Sequence, residues 1–138
     1  MISRMTPLVN VDLLIQDERL GTLLTWRDDG FSPAGWHVPG GVVRYLETFA
    51  ERVRLVARGE LLAEVEFDSS PLAVNELLYP ELPARGHHIS FLFRCRLTTP
   101  LDQTRRWREK QPQPGAWEWH REFPADMMPV HEIYRSFF

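Results

Sequence analysis

The stretch Trp36-His37-Val38-Pro39-Gly40-Gly41, with the segment that follows it to about Leu62, constrains this chain more than any other feature. An apolar run ends in a proline and two glycines. That turns the chain sharply, because glycine takes backbone angles that a Cβ forbids. Glu47 and Thr48 then open a helix, since a carboxylate is favourable beside a helix N-terminus and threonine caps one. Phe49, Val53, Val56 and Ala57 recur at helical spacing and predict one buried stripe. Glu60 falls on or beside the same face, where a carboxylate is costly unless it is paired or binds a metal. Gly59 precedes it; in a helix interior glycine costs about 1 kcal/mol against alanine. It also leaves room for a group to approach the backbone. Two readings therefore stand side by side: Glu60 snorkels at a fraying helix end, or it faces a ligand.

The remainder of the chain must supply a core for that stripe. At 138 residues one domain, 1–138, is expected, able to bury roughly two thirds of its unfolded surface. Cys95 stands alone, so no internal disulfide forms, and a reducing, cytoplasmic setting fits. A formal charge of −3 and a pI near 5.9 argue against a nucleic-acid or anionic-membrane binder. No apolar run approaches membrane-spanning length. Asn10 and Asp12 interrupt the run from Leu8 to Ile15, so no signal peptide is expected.

Strands are predicted over Leu8–Ile15 and Gly21–Arg27, paired as a hairpin, and over Trp36–Val38. Ala63–Phe67 reads as helix extension or strand, and Pro71–Tyr79 as a strand. His88–Leu97 shows the clearest alternation. A proline-bearing basic loop, Thr98–Gly115, leads to a short aromatic strand over Ala116–His120. Pro129 suits the first turn of a last helix, with Val130, Ile133, Tyr134 and Phe137 as its stripe. Strands, a central helix, more strands and a last helix predict an α+β chain with a mixed sheet between helices.

Gly41, five residues, Glu47, twelve residues, Glu60 resembles the skeleton of the Nudix box. That signature is Gly, five residues, Glu, seven residues, then Arg-Glu-apolar-x-Glu-Glu-x-Gly. Leu55 and Val56 stand at its Arg-Glu, Gly59 at its penultimate Glu and Leu62 at its last Gly. A fuller resemblance is to the GDP-mannose mannosyl hydrolase subgroup. It rests on Thr6-Pro7-Leu8-Val9 with Asp12, Leu23-Leu24 with Arg27, Gly35-Trp36 with Val38-Pro39-Gly40-Gly41, Glu47-Thr48 and Glu60-Leu61. His88–Leu97 and Val130-His131 with Arg135 and Phe138 add to it.

The resemblance implies an α/β/α Nudix sandwich and a homodimer. It also implies hydrolysis of a nucleoside-diphosphate sugar to nucleoside diphosphate and free sugar by attack at the anomeric carbon. The implied cofactor is Mg²⁺, with Mn²⁺ able to stand in, on the Gly40 carbonyl, Glu60 and Gln113. Hard oxygens, few protein ligands and substrate phosphates suit that ion. Asp12 and Arg27 match positions near the sugar and the diphosphate, and Glu47 would brace the box loop.

Three positions depart from the subgroup. Pro114 replaces its general-base His, while Val42 and Leu55 replace two arginines that hold the leaving diphosphate. Loss of a base typically costs 10²–10⁴-fold. Arg44, Arg54, Arg105, Arg106 and Arg108, with His120 or His88, are the candidate substitutes. Trp26, Trp36, Trp117 and Trp119 serve either the core or a stacked base. His37, His87 and His131 receive no role. The alternatives to the hydrolase are a degenerate domain that only binds a nucleotide and conventional attack at phosphorus.

Overall fold

Strand β1 (Leu8–Asp17) is the axis of the fold in the computed structural model, which describes residues 6–30, 33–81 and 86–138. It lies parallel to β7 (His87–Leu97), pairing Leu8–Ile15 with His88–Cys95. Its partner in the hairpin is β2 (Gly21–Arg27), but the two pair only at Gln16 and Asp17. Beyond that point β2 pairs with β3 (Gly35–His37) and β8 (Trp117–His120). Meanwhile β1 takes β4 (Gly40–Val42) against Asn10–Asp12. So β1 and β2 splay apart, and the segment from β3 to β4 crosses between them. On the far side, β5 (Val65–Phe67) and β6 (Ala73–Leu78) both pair antiparallel with β7. The result is a mixed sheet with a helix on either face.

Helix α1 (Phe49–Leu61) covers one face. The Thr48 hydroxyl accepts from the Glu51 N–H, capping the helix, and donates to the Glu51 carboxylate. Leu62 ends the helix in the left-handed region, its N–H returning to the Ala57 and Arg58 carbonyls. Val53, Val56, Ala57 and Leu61 pack on Val11, Leu13, Ile15, Phe93 and Cys95. Phe49, expected in the stripe, is half-exposed and lies against Phe91. The even residues of β1 face the other way. Leu14 joins Leu24, Trp26, Trp36, Val38 and Leu92 beneath a C-terminal helix, Pro129–Phe137, which supplies Tyr134.

That last helix is 3₁₀ rather than α, which changes its stripe. Three residues per turn align Met128, His131, Tyr134 and Phe137. The first three are buried, whereas Val130 is only half-buried and Ile133 is exposed. The Pro-Gly-Gly segment is also more than a turn, since Gly40 and Gly41 lie in β4. Glu51 and Arg54, spaced for an ion pair, do not form one: Glu51 serves the cap and Arg54 lies over the Phe67 ring. No helix among the described residues is long and apolar enough to cross a membrane.

Candidate functional site

The site forms where β1 and β2 separate, and Gly40 is its centre. Asp12 and Gly40 face each other as a register pair between β1 and β4. The flanking bonds, Leu13 N–H to the Pro39 carbonyl and Val43 N–H to the Val9 carbonyl, make it a non-hydrogen-bonded pair. Gly40 therefore turns its N–H and C=O away from β1. The N–H donates to Glu60 Oε2 at 2.8 Å, which settles where Glu60 points: not into solvent but back onto the sheet. A Cβ on Gly40 would collide with the Asp12 carboxylate and lie 2.7 Å from the Val11 carbonyl oxygen. Glycine is required so that two carboxylates can approach one backbone position from either side. Gly41 faces the other way, and a Cβ there would press on Val56 at 3.0 Å.

On the α1 side, Glu60 Oε1 lies 3.3 Å from His37 Nε2 and 3.5 Å from the Thr25 hydroxyl. His37 is 2% exposed and the Glu60 side chain 27%, so Glu60 is the member of this pair that solvent reaches. His37 Nδ1 donates to the Thr25 carbonyl at 2.8 Å, which fixes the ring. Gly59 leaves open space beside the helix end.

On the other side, Asp12 is buried. The Tyr134 hydroxyl donates to its Oδ2, and the Asn10 amide lies 3.4 Å from Oδ1. Burial pushes the Asp12 carboxyl up to about 7, although the Tyr134 hydrogen bond and the nearby Arg27 charge pull it back. Burial likewise pushes the Tyr134 hydroxyl up. His131 Nδ1 accepts the Val38 N–H at 2.9 Å, and its Nε2 faces Asp12 Oδ2 at 3.9 Å. Burial holds His131 well below the ordinary range, reinforced by His37 and Arg27, so it is neutral with its proton on Nε2. The rings of His37 and His131 stack at 5.9 Å and join the two halves of the cluster. Arg27 is half-buried, acts electrostatically on both Asp12 and His131, and its guanidinium makes no hydrogen bond or ion pair among the described residues.

Of the residues singled out in the sequence, Asp12, Arg27, Gly40 and Glu60 thus come together. Glu47 does not join them. Its carboxylate takes both arms of Arg52, at 2.7 and 2.8 Å, and the Arg44 N–H, contacts that hold it below the usual carboxylate range. It fixes the loop before α1, in which Leu46 adopts a left-handed conformation. Gln113 is exposed on the loop before β8, and its side chain has no hydrogen-bond partner among the described residues.

None of the substitute residues reaches Glu60. Arg106 pairs with Glu118 and covers Trp117, and Arg105 packs on Gly115. Arg44 and Arg108 are exposed. His120 lies edge-on to Trp36, its pKa lowered by burial, and His88 meets Asn10. Trp26, Trp36 and Trp117 are buried in the core and offer no platform for a base. His37, Thr25, His131 and Tyr134 are the site residues that the sequence did not announce.

A divalent cation fits part of this arrangement. The Glu60 carboxylate and the Gly40 carbonyl lie on one side of β4, and both are hard oxygen donors. Among the described residues there is no group of three or more His, Cys, Asp or Glu side chains disposed to hold a metal on their own. An ion there would depend on oxygens of the bound substrate.

No family model matches the chain. Solved structures match it closely in shape. It is similar to a NUDIX hydrolase from Nitrosomonas europaea at a TM-score of 0.67 and 21% identity, covering 96% of this chain and 70% of that one. A UDP-X diphosphatase superposes with a TM-score of 0.68 at 18% identity, covering 95% of this chain and 59% of that one. The MutT protein from Methanosarcina mazei Go1 gives a TM-score of 0.61 at 17% identity over 83% of this chain and 77% of that one. The fold is that of the Nudix hydrolases. Within it, the Pro-Gly-Gly crossing and α1 are the parts that build the Glu60 corner. A sequence relative is the low-salt glycan biosynthesis protein Agl8 of Haloferax volcanii, 35% identical over 95 residues. That match covers 66% of this chain and spans 60% of the relative's length.

Proposed function

We propose that this Nudix-fold protein is a divalent-metal-dependent hydrolase of nucleoside-diphosphate sugars, GDP-mannose among them, releasing nucleoside diphosphate and free sugar. The observation that carries the reading is Gly40, approached by Glu60 on one side and by buried Asp12 on the other, with Arg27, whose guanidinium makes no hydrogen bond or ion pair among the described residues, beside them. Resemblance to a UDP-X diphosphatase and to a glycan-biosynthesis relative is consistent with a sugar nucleotide.

Each residue has a distinct task in this reading. Glu60 and the Gly40 carbonyl hold the ion, which supplies positive charge to the diphosphate. Arg27 is the guanidinium free to grip phosphate oxygens as they gain charge. Asp12, kept in place by Tyr134, lies where a sugar hydroxyl or the attacking water can be oriented. Glu47 acts at a distance by holding the loop that leads into α1.

The test is a product assay with Mg²⁺ or Mn²⁺ and a panel of nucleoside-diphosphate sugars, dinucleotides and nucleoside triphosphates. Nucleoside diphosphate plus free sugar is expected, and Glu60→Gln abolishes it. Monophosphate products would place the attack at phosphorus. A second reading, nucleotide binding without turnover, is favoured by one specific observation. Leu55, at an arginine position of the subgroup, is exposed and carries no donor, and no arginine among the described residues pairs with Glu60. Thermal stabilisation by sugar nucleotides without products at any metal concentration would establish that reading.

A further inference from the structure

We propose that the outer edge of β6 is an interface between two copies of this chain, which pair edge to edge and antiparallel about a two-fold axis at Asn75. The inference stands apart from the hydrolase reading. A homodimer is implied by the resemblance without any surface for it, and this edge supplies one on independent grounds.

Strand β6 closes one side of the sheet. It pairs with β7 along one edge, and among the described residues no strand pairs with the other. In an antiparallel ladder alternate residues bond to the neighbour, and those between them turn N–H and C=O outward. The Tyr79 N–H reaches the Gly86 carbonyl at 2.5 Å, in line with the pairing of Leu78 with His87. Odd-numbered residues therefore bond to β7, while Val74, Glu76 and Leu78 turn their backbone groups outward. Folded chains commonly guard such an edge with proline, lysine or inward-pointing charge. Ala73–Leu78 holds neither proline nor lysine, and Glu76 is its one charge. Val74 is 54% exposed and Leu78 61%, with the exposed Leu72 beside them. An open, apolar, lightly charged edge is a template for a further strand.

The strand is complementary to itself in one register. A two-fold axis normal to the sheet preserves its two faces, so even-numbered residues meet even-numbered ones. With Asn75 on the axis, Val74 lies opposite Glu76 of the second copy and Leu72 opposite Leu78. The outward amides and carbonyls of Val74 and Glu76 then bond reciprocally on either side of the axis, an isologous contact. An axis at Glu76 would instead set two carboxylates against each other, and one at Val74 would shorten the ladder. The buried Asn75 Nδ2 is a second observation, since it has no hydrogen-bond partner among the described residues. A buried donor left unpaired is costly. On the axis Asn75 makes a non-hydrogen-bonded pair, the kind in which facing side chains come closest, so each amide gains the carbonyl oxygen of the other.

The test is sedimentation velocity on the full chain over a concentration series, with amide hydrogen exchange read residue by residue at both ends of the series. Wild type is expected to pass from the 16.2 kDa chain to twice that mass as concentration rises. The Val74 and Glu76 amides gain protection with it. Val74→Glu sets a like charge against Glu76 of the second copy and should weaken the dimer about tenfold. Val74→Lys sets an opposite charge there and should strengthen it by about the same factor, a gain that loss of folding cannot mimic. Circular dichroism confirms that both variants fold. A chain that stays monomeric at millimolar concentration leaves this edge to an extended segment of some other protein and overturns the proposal. So does a dimer in which the Val74 and Glu76 amides exchange as they do in the monomer. A dimer that Val74→Lys and Val74→Glu alter alike overturns the register, and the proposal with it.

Discussion

Gly40 carries the narrowest constraint at the residue scale. Alanine there would have to displace both the Asp12 carboxylate and the Val11 carbonyl. Gly40→Ala should therefore lose about 1–3 kcal/mol by overpacking, read from a urea unfolding midpoint at unchanged slope. Gly59→Ala, by contrast, meets nothing within 4 Å and should gain stability modestly through helix propensity. Asp12 makes a second, pH-dependent prediction. Its carboxyl rises from 3.8 to about 7 on folding. Between those values the folded chain holds a proton that the unfolded chain has released, so this contribution to stability falls as pH rises and levels off above about 7. Asp12→Asn removes that slope. Comparing wild type and variant unfolding at about pH 4.5 and about pH 8 measures it, and parallel losses would refute the assignment. Glu60 was legible as a misplaced carboxylate on an apolar face, and the glycines as a close approach. His37 and His131 were not legible. A histidine in a strand or a short helix gives no periodic signal, and what it contacts depends on chain segments far away in sequence.

At the scale of elements, what a sequence pattern reveals depends on whether one period governs the segment. Helix α1 and strand β7 were readable because 3.6 and 2 residue periods ran through them unbroken. The C-terminal helix does not follow the 3.6-residue period, because it is 3₁₀. Its 3₁₀ geometry places His131 and Tyr134 on one line, and that line delivers both side chains to the site. Strand β4 was missed because two glycines advertise a turn, while the hydrogen bonds that make them a strand come from β1. The two helices should respond differently to substitution. Thr48→Ala breaks the cap of α1 at a point remote from the cluster. It should cost about 1 kcal/mol of stability and leave ligand affinity unchanged. Tyr134→Phe keeps the ring in the core but removes the donor to Asp12. It should raise the Asp12 carboxyl still further and weaken substrate binding or turnover, with a shifted pH profile. A variant that loses only stability, with an unaltered profile, would make Tyr134 a packing residue alone.

For the molecule as a whole, the splay of β1 from β2 explains why the site exists where it does. A hairpin that stayed paired along its length would fill the space with ladder bonds; by parting beyond the Gln16–Thr22 pair, the strands leave an opening that β3, β4, α1 and the last helix must complete. Asp12, Arg27, His37, Glu60 and His131 each come from a different element, so no short motif could contain the site. The chain is acidic overall, with a formal charge of −3. Attraction for a diphosphate must therefore be local, and Arg27 is the half-buried cation of this cluster, its guanidinium without a hydrogen bond or ion pair among the described residues. The Arg27 charge attracts the ionised Asp12 carboxylate while the neighbouring His131 stays neutral, and a bound anion adds a second partner. Arg27→Gln should consequently lower the unfolding free energy only slightly, and only where Asp12 is ionised, above about pH 7. The same variant should bind a nucleoside diphosphate more weakly, and its binding should depend less on ionic strength. A ligand that occupies only the folded state stabilises by about 2.7 kcal/mol at a hundred times its dissociation constant, and this linkage makes a thermal shift sufficient to read the difference. Equal shifts in wild type and Arg27→Gln, at low and high salt alike, would show that the diphosphate is gripped elsewhere.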